Sequence, residues 1–590
     1  MCGIIGYLGK KNAAKEVYCG LERLEYRGYD SAGVAIIAAD GKICAVKKQG
    51  RVENLKPYLR DIAGAIGIGH TRWATHGKPC DKNAHPHLCG GLALVHNGII
   101  ENYAALKSEL VADGEEFLSE TDSEVIVRLL KRNFKGDLLA ALARTVERLK
   151  GSYAVMVICE GIDAIAVAKN RSSVILGYGD GEYFCASDEP ALAGKCADIC
   201  VPDDGDFAYI TADGIEIYNK TLQRVIREKR PSTAAAQSLD LGGYPHYMLK
   251  ELHEAPATIK NTVSAFAAVE DKLKSALCSV DRIIILGCGT AYHAGLVGRR
   301  YFEQFARVPA ECENAGEFRY KNPVVTNKTA VLAISQSGET ADTVEAARLA
   351  LALGAEVIAV TNSLNSALTR IASVTVPVAA GPEICVAATK SYTGQIAALY
   401  LCALAFADCD RDGALKRGLA EMAALCEKTL GQVNTYSLAN MCALSHGVYF
   451  LGRDIDYAVA LEGSLKLKEV SYIHSEGYPA GELKHGTLAL IDGDTVAVAL
   501  IFDGGLAEKS CNAVEQVLSR GGRAAVITNV DGVKKRFAGR AQVIGLCACD
   551  KFLSPVLSAV AVQKLAYETA AILGRDPDKP RNLAKSVTVE

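Results

Sequence analysis

The feature that most limits the fold of this 590-residue chain is a strand-and-helix pattern that occurs twice in its C-terminal half. Gly287 and Gly316 are 29 residues apart in the first occurrence, and Gly452 and Gly481 are 29 apart in the second. Each occurrence alternates apolar strands with long helical patterns, which indicates a parallel sheet with helical crossovers. We therefore predict two copies of one doubly wound α/β unit.

The two predicted copies span roughly residues 270–410 and 435–580, and they differ in their polar residues. After one strand the first copy has the segment SQSGET at 335–340, whereas the second copy has FDGG. Hydroxyl groups and free N–H groups at the start of a helix bind phosphate, although helix capping is the ordinary role of Ser and Thr there. We predict that only the first copy binds a phosphate monoester.

The N-terminal part of the chain follows a different pattern. Residues 1 to about 225 consist of short alternating strands with turn signals between them, which predicts a β-rich layered domain with a few helices. Residues 227–246 then lose apolar periodicity and collect Pro, Ser, Thr and Gly. That composition is typical of a linker between domains.

Composition excludes several classes of function. The net charge is −3, from 65 basic and 68 acidic residues, and the basic residues are scattered, so we predict no nucleic-acid or membrane partner. The uncharged stretch Ser391–Ala407 is shorter than the ~20 residues of a membrane span, and we find no secretion leader, so we expect a cytoplasmic protein. The 20 cysteines include no CxxC pair, so we expect no metal site.

Cys2 is the strongest candidate for a nucleophile. Removal of Met1 would place a thiol and a free α-amine on one residue, and the amine, with a pKa of about 7.7 to 8, can accept a proton from a thiol of pKa about 8.5. The ordinary explanation is a small second residue that merely permits removal of methionine. The surrounding motifs decide between the two explanations.

Three motifs supply groups for attack on the side-chain amide of a free amino acid. Arg72 suits an α-carboxylate, and Asp122 suits an α-ammonium. Asn97 and the N–H of Gly98 suit an oxyanion. The capping-box spacing in SETDSE also predicts that Asp122 lies in the first turn of a helix.

The C-terminal half contains a second group of titratable residues. Helical spacing places Glu462, Lys466 and Glu469 on one face, where a solvated salt-bridge face is the ordinary explanation. His485 follows in GELKHG, and we predict that it converges with this face as an acid or base. The tail carries Lys585 among apolar residues, which suits a desolvated amine, although a surface lysine is the commoner case.

These motifs resemble a known family over nearly the whole chain. The N-terminal ones are similar to the glutaminase domain of N-terminal-nucleophile glutamine amidotransferases, and the C-terminal ones to the sugar isomerase domain of the glutamine:fructose-6-phosphate amidotransferases. The motifs are MCGIIGY, LEYRGYDSAG, HTRWATHG, HNGIIEN and SETDSE in the first group, and SQSGETADT, EGSLKLKE, GELKHG and RNLAKSVTVE in the second.

The resemblance implies an α/β architecture in which a layered αββα glutaminase domain precedes two tandem doubly wound sugar isomerase (SIS) subdomains. The implied division is a glutaminase domain at 2–226, a linker at 227–246, SIS subdomains at 247–434 and 435–575, and an active-site tail at 576–590.

For the glutaminase half, the resemblance implies that Cys2 forms a glutamyl thioester and releases ammonia. Trp73 matches the residue that gates an ammonia channel to the isomerase half. The residues implied to bind glutamine are Arg72, Thr75, His76, Asn97, Gly98 and Asp122.

For the isomerase half, Lys585 matches the lysine that forms a Schiff base with the ketose, Glu469 the base that moves a proton between C1 and C2, and His485 the imidazole that opens the sugar ring. Lys466 matches an assisting acid. The implied sugar-phosphate site comprises Gly289, Thr290, Ser335, Gln336, Ser337, Thr340, Val386 and Ala584. Ala291 and Ala388 stand where serine is expected, so either the affinity for the sugar is lower or a water molecule substitutes for the lost hydroxyl.

The resemblance implies small-molecule substrates, L-glutamine and fructose 6-phosphate, a homodimer, and chemistry that needs no metal or organic cofactor. Two alternatives remain open at this point. The enzyme could deliver ammonia to another sugar-phosphate acceptor, or the duplicated unit could be a sugar-phosphate sensor that regulates a partner.

Overall fold

The computed structural model describes residues 2–232, 240–410 and 413–587. The chain forms two compact units, one of Met1–Asp240 with Ser586–Glu590 and the other of Leu241–Lys585. The boundary between them falls inside the segment 227–246 that was predicted as a linker, of which residues 233–239 lie outside the described residues.

The first unit is built on antiparallel strands. Its strands in the described residues are β1 (Gly3–Leu8), β2 (Ser31–Ile37), β3 (Ile43–Gln49), β4 (Ile66–Arg72), β5 (His87–Cys89), β6 (Leu92–Ile100), β7 (Gly151–Cys159), β8 (Ile162–Asn170), β9 (Ile175–Tyr178), β10 (Tyr183–Ala186), β11 (Asp198–Cys200), β12 (Phe207–Thr211), β13 (Gly214–Tyr218), β14 (Arg224–Val225) and β15 (Lys229–Pro231). One sheet has the order β15-β11-β9-β10-β1-β4-β2-β3, and the other has the order β14-β13-β12-β8-β7-β6-β5. Strand β15 lies within the predicted linker, so part of that segment is an edge strand instead.

Helices cover the outer faces of the two sheets. The α-helices described in the first unit are α1 (Ala13–Leu24), α2 (Tyr103–Ala112), α3 (Glu124–Asn133) and α4 (Leu138–Val146). Because neighbouring residues of a strand face opposite sides, Ile4 lies in the core between the sheets, and Ile5 lies in the core beneath α1. A separate core packs α2 to α4 on the other sheet, which gives the predicted αββα layers.

The second unit contains two parallel five-stranded sheets. Its described strands are β16 (Arg282–Gly287), β17 (Ala310–Asn314), β18 (Thr329–Ser335), β19 (Glu356–Thr361), β20 (Val374–Pro377), β21 (Gly447–Gly452), β22 (Ser475–Pro479), β23 (Thr495–Ile501), β24 (Arg523–Thr528) and β25 (Gln542–Gly545). The orders β17-β16-β18-β19-β20 and β22-β21-β23-β24-β25 are the same, which confirms the predicted duplication. In each copy the first strand lies next to the third, so polar residues after these two strands meet at one edge.

The helices described in this unit are α5 (Tyr247–Phe266), α6 (Glu270–Leu277), α7 (Thr290–Tyr301), α8 (Ala315–Phe318), α9 (Ala341–Ala352), α10 (Ala367–Ile371), α11 (Lys390–Ala407), α12 (Ala414–Gln432), α13 (Tyr436–Ala443), α14 (Ile455–Ser471), α15 (Ala507–Leu518), α16 (Asp531–Phe537) and α17 (Ser554–Ile572). Helix α11 is buried nearly all round, as the apolar stretch predicted. Among the described helices, none combines the length and apolar character that a membrane crossing requires.

Candidate active site

The side chain and the backbone carbonyl of Cys2 are held by groups from three distant parts of the first unit. The Trp73 N–H donates to Cys2 Sγ at 3.4 Å. The side-chain nitrogen Nδ2 of Asn97 donates to the Cys2 carbonyl at 2.9 Å, and Arg27 Nε donates to the same oxygen at 3.2 Å. Trp73 follows β4 and Asn97 lies in β6, so the structure brings these predicted site residues to Cys2.

Arg27 was not predicted, although it lies in the quoted motif LEYRGYDSAG. Its side chain is buried and also forms an ion pair with Asp188 at 2.9 Å. A buried guanidinium that donates to a backbone carbonyl fixes the position of that carbonyl. Arg27 therefore helps to orient Cys2, and only the fold reveals it.

The thiol of Cys2 is not activated by its surroundings alone. Burial raises its pKa, and the Trp73 N–H and the Arg72 charge oppose this rise only in part. Because the thiolate is the reactive form, the thiol needs a base close by. A free α-amine on the same residue would supply one.

The capping-box prediction around Asp122 is wrong. Helix α3 begins at Glu124 and Asp122 precedes it, because the Glu124 carboxylate accepts the Ser119 N–H at 2.6 Å. Asp122 instead accepts the Ile100 N–H at 2.8 Å and lies 3.9 Å from His76 Nδ1. Its carboxylate is thereby fixed between β6 and the loop that carries His76.

Arg72 shapes that loop. Its Nη2 donates to the carbonyls of His76 and Gly77, the latter at 3.1 Å. Its Nη1 is buried and has no hydrogen-bond partner among the described residues, so it remains available to a carboxylate. Thr75 is exposed and lies 3.3 Å from the His76 ring nitrogen.

Two observations concern the predicted oxyanion donors. Asn97 Oδ1 is buried without a partner in the described chain, which shows that this side chain is oriented by its Nδ2 alone. Gly98 has φ +141°, and a Cβ there would lie 2.0 Å from the Ser152 carbonyl oxygen. Only glycine fits this position.

In the second unit, the hydroxyls of the first copy gather after β18. Ser335 Oγ lies 2.9 Å from Thr340 Oγ1 and accepts the Gly338 N–H at 3.0 Å. Ser337 Oγ accepts the Glu339 N–H at 3.2 Å. We call the segment 335–340 and the turn at 288–290 the cradle.

The cradle's second wall is the turn between β16 and α7. Gly289 there has φ 54° and ψ −124°. Thr290 donates its hydroxyl to Glu462 Oε1 at 3.1 Å, and His293 Nδ1 lies 2.8 Å from Glu462 Oε2. Glu462 therefore connects the cradle to helix α14, and neither His293 nor this link was predicted.

The charged face of α14 is buried, so a solvated face does not explain it. Lys466 Nζ lies 2.5 Å from Glu469 Oε2 and 3.5 Å from Glu462 Oε1. Burial opposes the charge on Lys466, yet the two glutamates raise its pKa above the ordinary value. Burial raises the pKa of Glu469, while the charges of Lys466 and Lys585 lower it.

Lys585 is buried and pairs with Glu383. Glu383 is itself fixed: its Oε1 accepts the Thr389 and Ser391 N–H groups, each at 3.0 Å, and its Oε2 accepts the Ser391 hydroxyl at 2.7 Å. The charge of Lys585 and these hydrogen bonds outweigh burial and lower the pKa of Glu383. Lys585 is therefore no surface lysine.

Glu383 was missed in the sequence. An acidic residue in the apolar run PEICVAATK was the available signal. The neighbouring Glu251 accepts the Cys385 N–H at 3.2 Å, and burial together with the Glu383 charge raises its pKa to about 8. The chain from Pro577 packs on this loop, where Val386 N–H donates to the Asp578 carbonyl at 3.1 Å.

One predicted residue is not brought to this group. His485 is exposed, and in the described part of the chain no hydrogen bond or ion pair joins it to Glu469 or Lys585. Gln336 lies in the cradle segment. Ala584 is the residue immediately before Lys585.

Comparison with known proteins gives the class and then the family. Family models match residues 70–193 as a glutamine amidotransferase domain and residues 276–405 and 443–542 as SIS domains. The chain is thus a glutamine amidotransferase joined to duplicated SIS domains. It is 44% identical, over the full length of both chains, to the glutamine–fructose-6-phosphate aminotransferases (isomerizing) of Clostridium tetani and Aquifex aeolicus.

A solved structure agrees with this comparison. The C-terminal domain of glucosamine-fructose-6-phosphate aminotransferase from Francisella tularensis is 34% identical, covers 58% of this chain and all of its own, and superposes with a TM-score of 0.54. The chain belongs to the glutamine–fructose-6-phosphate aminotransferase (isomerizing) family.

Proposed function

We propose that this protein converts D-fructose 6-phosphate and L-glutamine to D-glucosamine 6-phosphate and L-glutamate. Family membership over the whole chain supports this reaction. The observation that carries it is the buried Lys585–Glu383 pair in the same unit as the hydroxyl-rich cradle. An amine held beside an acceptor and a phosphate site suits imine chemistry on a phosphorylated ketose.

In the glutaminase half, Cys2 attacks the side-chain amide carbon of glutamine after Met1 is removed. Its α-amine takes the thiol proton, and the oxyanion forms beside Asn97 Nδ2 and the Gly98 N–H. Collapse of this intermediate releases ammonia and leaves a glutamyl thioester, which water hydrolyses to glutamate. Arg72, with one free buried nitrogen, binds the α-carboxylate, and Asp122 binds the α-ammonium.

In the isomerase half, Lys585 reacts as the neutral amine, because only the neutral amine attacks a carbonyl, and Glu383 holds that amine in place. The amine adds to C2 of the open-chain ketose, and loss of water gives a Schiff base. Ammonia then displaces the lysine nitrogen from C2. The nitrogen of ammonia stays on the sugar, and Lys585 regains its free amine.

Glu469 completes the isomerisation by moving a proton from C1 to C2, which leaves an aldehyde at C1 and an amine at C2. Its pKa is raised by burial while that of Glu383 is lowered, and such a separation suits two carboxyl groups with different tasks. Lys466, charged between two glutamates, stabilises negative charge that develops on the sugar oxygens.

Three further assignments rest on the family resemblance. Trp73 gates the passage of ammonia between the two sites. His485 opens the sugar ring, and its exposure favours action in the site of a second copy, so we propose a homodimer. The enzyme acts in the cytoplasm on small-molecule substrates.

The deciding experiment supplies glutamine labelled with ¹⁵N in its side-chain amide together with fructose 6-phosphate. The label is expected at C2 of glucosamine 6-phosphate. A panel of other sugar phosphates is tested in the same way. Transfer of the label to one of them would replace fructose 6-phosphate as the assigned acceptor. Absence of any glutamine turnover would favour the sensor alternative.

A further inference from the structure

The second copy of the α/β unit keeps the turn that forms one wall of the cradle in the first copy. Gly289 precedes α7 with φ 54° and ψ −124°, and Asp454 precedes α14 with φ 53° and ψ −124°. Glycine adopts this conformation readily, whereas other residues are strained in it. The second copy therefore keeps the backbone geometry of this turn even at a residue that is not glycine.

Strand register gives the equivalent positions in the two copies. Arg282 is paired with Thr329 in the first sheet, and Gly447 is paired with Thr495 in the second. The cradle hydroxyls of the first copy have the following replacements: Ser335 by Ile501, Ser337 by Asp503, and Thr340 by Leu506. The second copy therefore lacks these hydroxyls, and the groups left to hold a phosphate there are the backbone N–H groups of this loop and of the turn before α14.

Asp456 occupies the helix position that Ala291 has in the first copy. In both copies a glycine ends the strand and packs on this residue: a Cβ on Gly287 would lie 2.8 Å from the Ala291 carbonyl carbon, and one on Gly452 would lie 2.4 Å from that of Asp456. The two helices thus approach their strands in the same way. The Asp456 side chain points from the first turn of α14 toward the loop after the third strand, β23.

The carboxyl group of Asp456 fills this space in the second copy. It is 4% exposed, and its Oδ2 accepts the Phe502 N–H at 3.0 Å. Phe502 corresponds to Gln336, which belongs to the cradle of the first copy. Oδ1 is also buried and has no hydrogen-bond partner among the described residues.

We propose that Asp456 is a built-in substitute for a phosphate group, and that it limits each chain to one phosphosugar. This proposal rests on the assignment of the cradle under the proposed function. A tethered carboxyl group competes with a free ligand at a high effective concentration. Asp503 adds a carboxylate where the first copy has Ser337, and Lys551 Nζ, 3.2 Å from it, offsets part of its charge.

A carboxyl group is tolerated at this buried position because burial itself favours its uncharged form. Burial raises the pKa of Asp456 to about 8, so the group fills the space without a full charge at neutral pH. The start of α14 and the Phe502 N–H both favour an oxygen acceptor at this point.

The test counts bound phosphate per chain by equilibrium dialysis of radioactive inorganic phosphate against the full-length protein. The unmodified chain is expected to bind one. Two variants are compared with it: Asp456→Ala, and the double variant Asp456→Ala with Asp503→Ser. At least one of them is expected to bind two phosphate ions per chain. Asp456→Asn, which keeps an acceptor oxygen of the same shape, is expected to bind one.

Asp456→Ser repeats the count with a smaller change if the alanine variant folds poorly, and isomerase activity of the first copy reports correct folding. A count of one in every Ala and Ser variant would overturn the inference, as would a count of two in Asp456→Asn. A count of zero in the unmodified chain would instead overturn the phosphate site of the first copy.

Discussion

Lys585 and Glu383, 202 residues apart in the chain, form an ion pair in which both side chains are almost completely buried. Burial of two charges is costly unless their remaining hydrogen bonds are satisfied. Glu383 meets this condition through two backbone N–H groups and the Ser391 hydroxyl. The pair therefore holds the amine of Lys585 at one place.

Replacement of Lys585 by arginine is expected to abolish the Schiff base, because a guanidinium keeps the charge but does not lose a proton to become a nucleophile. Borohydride reduction with fructose 6-phosphate present, followed by mass spectrometry, measures the trapped adduct. Lys390→Arg is the matched control, since Lys390 is also buried and paired, with Glu254 at 2.6 Å. Trapping that persists in Lys585→Arg would assign another lysine.

Replacement of Glu383 by glutamine is expected to lower the isomerase kcat by about 10²-fold, because the Lys585 amine is then no longer held in the geometry of attack. Glutaminase activity should be unchanged, because Cys2 lies in the other unit. Glu383→Asp keeps the charge and is expected to recover part of the rate, which loss of mere packing would not allow. Equal rates for the Gln and Asp variants would contradict a role of the Glu383 charge in positioning Lys585.

Replacement of Cys2 by alanine is expected to abolish glutamine hydrolysis and leave isomerisation of fructose 6-phosphate intact. The reason is that the thiol alone supplies the bond to the amide carbon. Cys44→Ala, at a half-buried cysteine of β3, is the control and should retain both activities. Glutamate release and sugar isomerisation are measured separately, and loss of both in Cys2→Ala would contradict the division of tasks.

Buried histidines should make the first unit sensitive to acid. The ring centroids of His70 and His85 are 4.0 Å apart, and those of His85 and His87 are 4.4 Å apart. Burial holds the pKa values of all three well below the ordinary value. Since the unfolded chain binds protons that the folded unit does not, stability is complete above the unfolded pKa of about 6.5 and is lost as the pH falls toward the folded values.

The expected loss is up to about 1.4 kcal/mol per pH unit for each histidine. Urea unfolding, followed by signals from the first unit between pH 7 and pH 5, measures it. His85→Gln is expected to flatten this dependence, while His474→Gln, at an exposed histidine, should not. A stability that is independent of pH in the unmodified protein would contradict the prediction.

His485 provides a test of subunit complementation. Because it is exposed, we expect it to complete the site of a second copy, so His485→Ala and Lys585→Arg should each be inactive as isomerases. Refolding an equal mixture should restore about a quarter of the activity, since half of the dimers are mixed and each has one intact site. No recovery, with mixed dimers confirmed by differently tagged chains, would place His485 in its own chain's site.

Local pattern was sufficient for much of this protein. The duplicated α/β unit and the buried α11 follow from apolar periodicity and glycine spacing, because each of these is fixed by nearby residues, whereas the αββα layers were implied by the family resemblance. The positions of Cys2 and of the 335–340 cradle were recognisable for the same reason. Local pattern failed at Asp122. The Glu124 carboxylate accepts the Ser119 N–H instead of forming the predicted capping box.

Contacts between distant residues were decided only by tertiary structure. Arg27 on the Cys2 carbonyl, His293 on Glu462 and Asp456 on the Phe502 N–H join segments whose spacing carries no local signal. The sequence by itself determined which chemical groups this protein carries and on which elements they lie. Packing decided which of those groups meet, since burial and long-range hydrogen bonds depend on the whole fold.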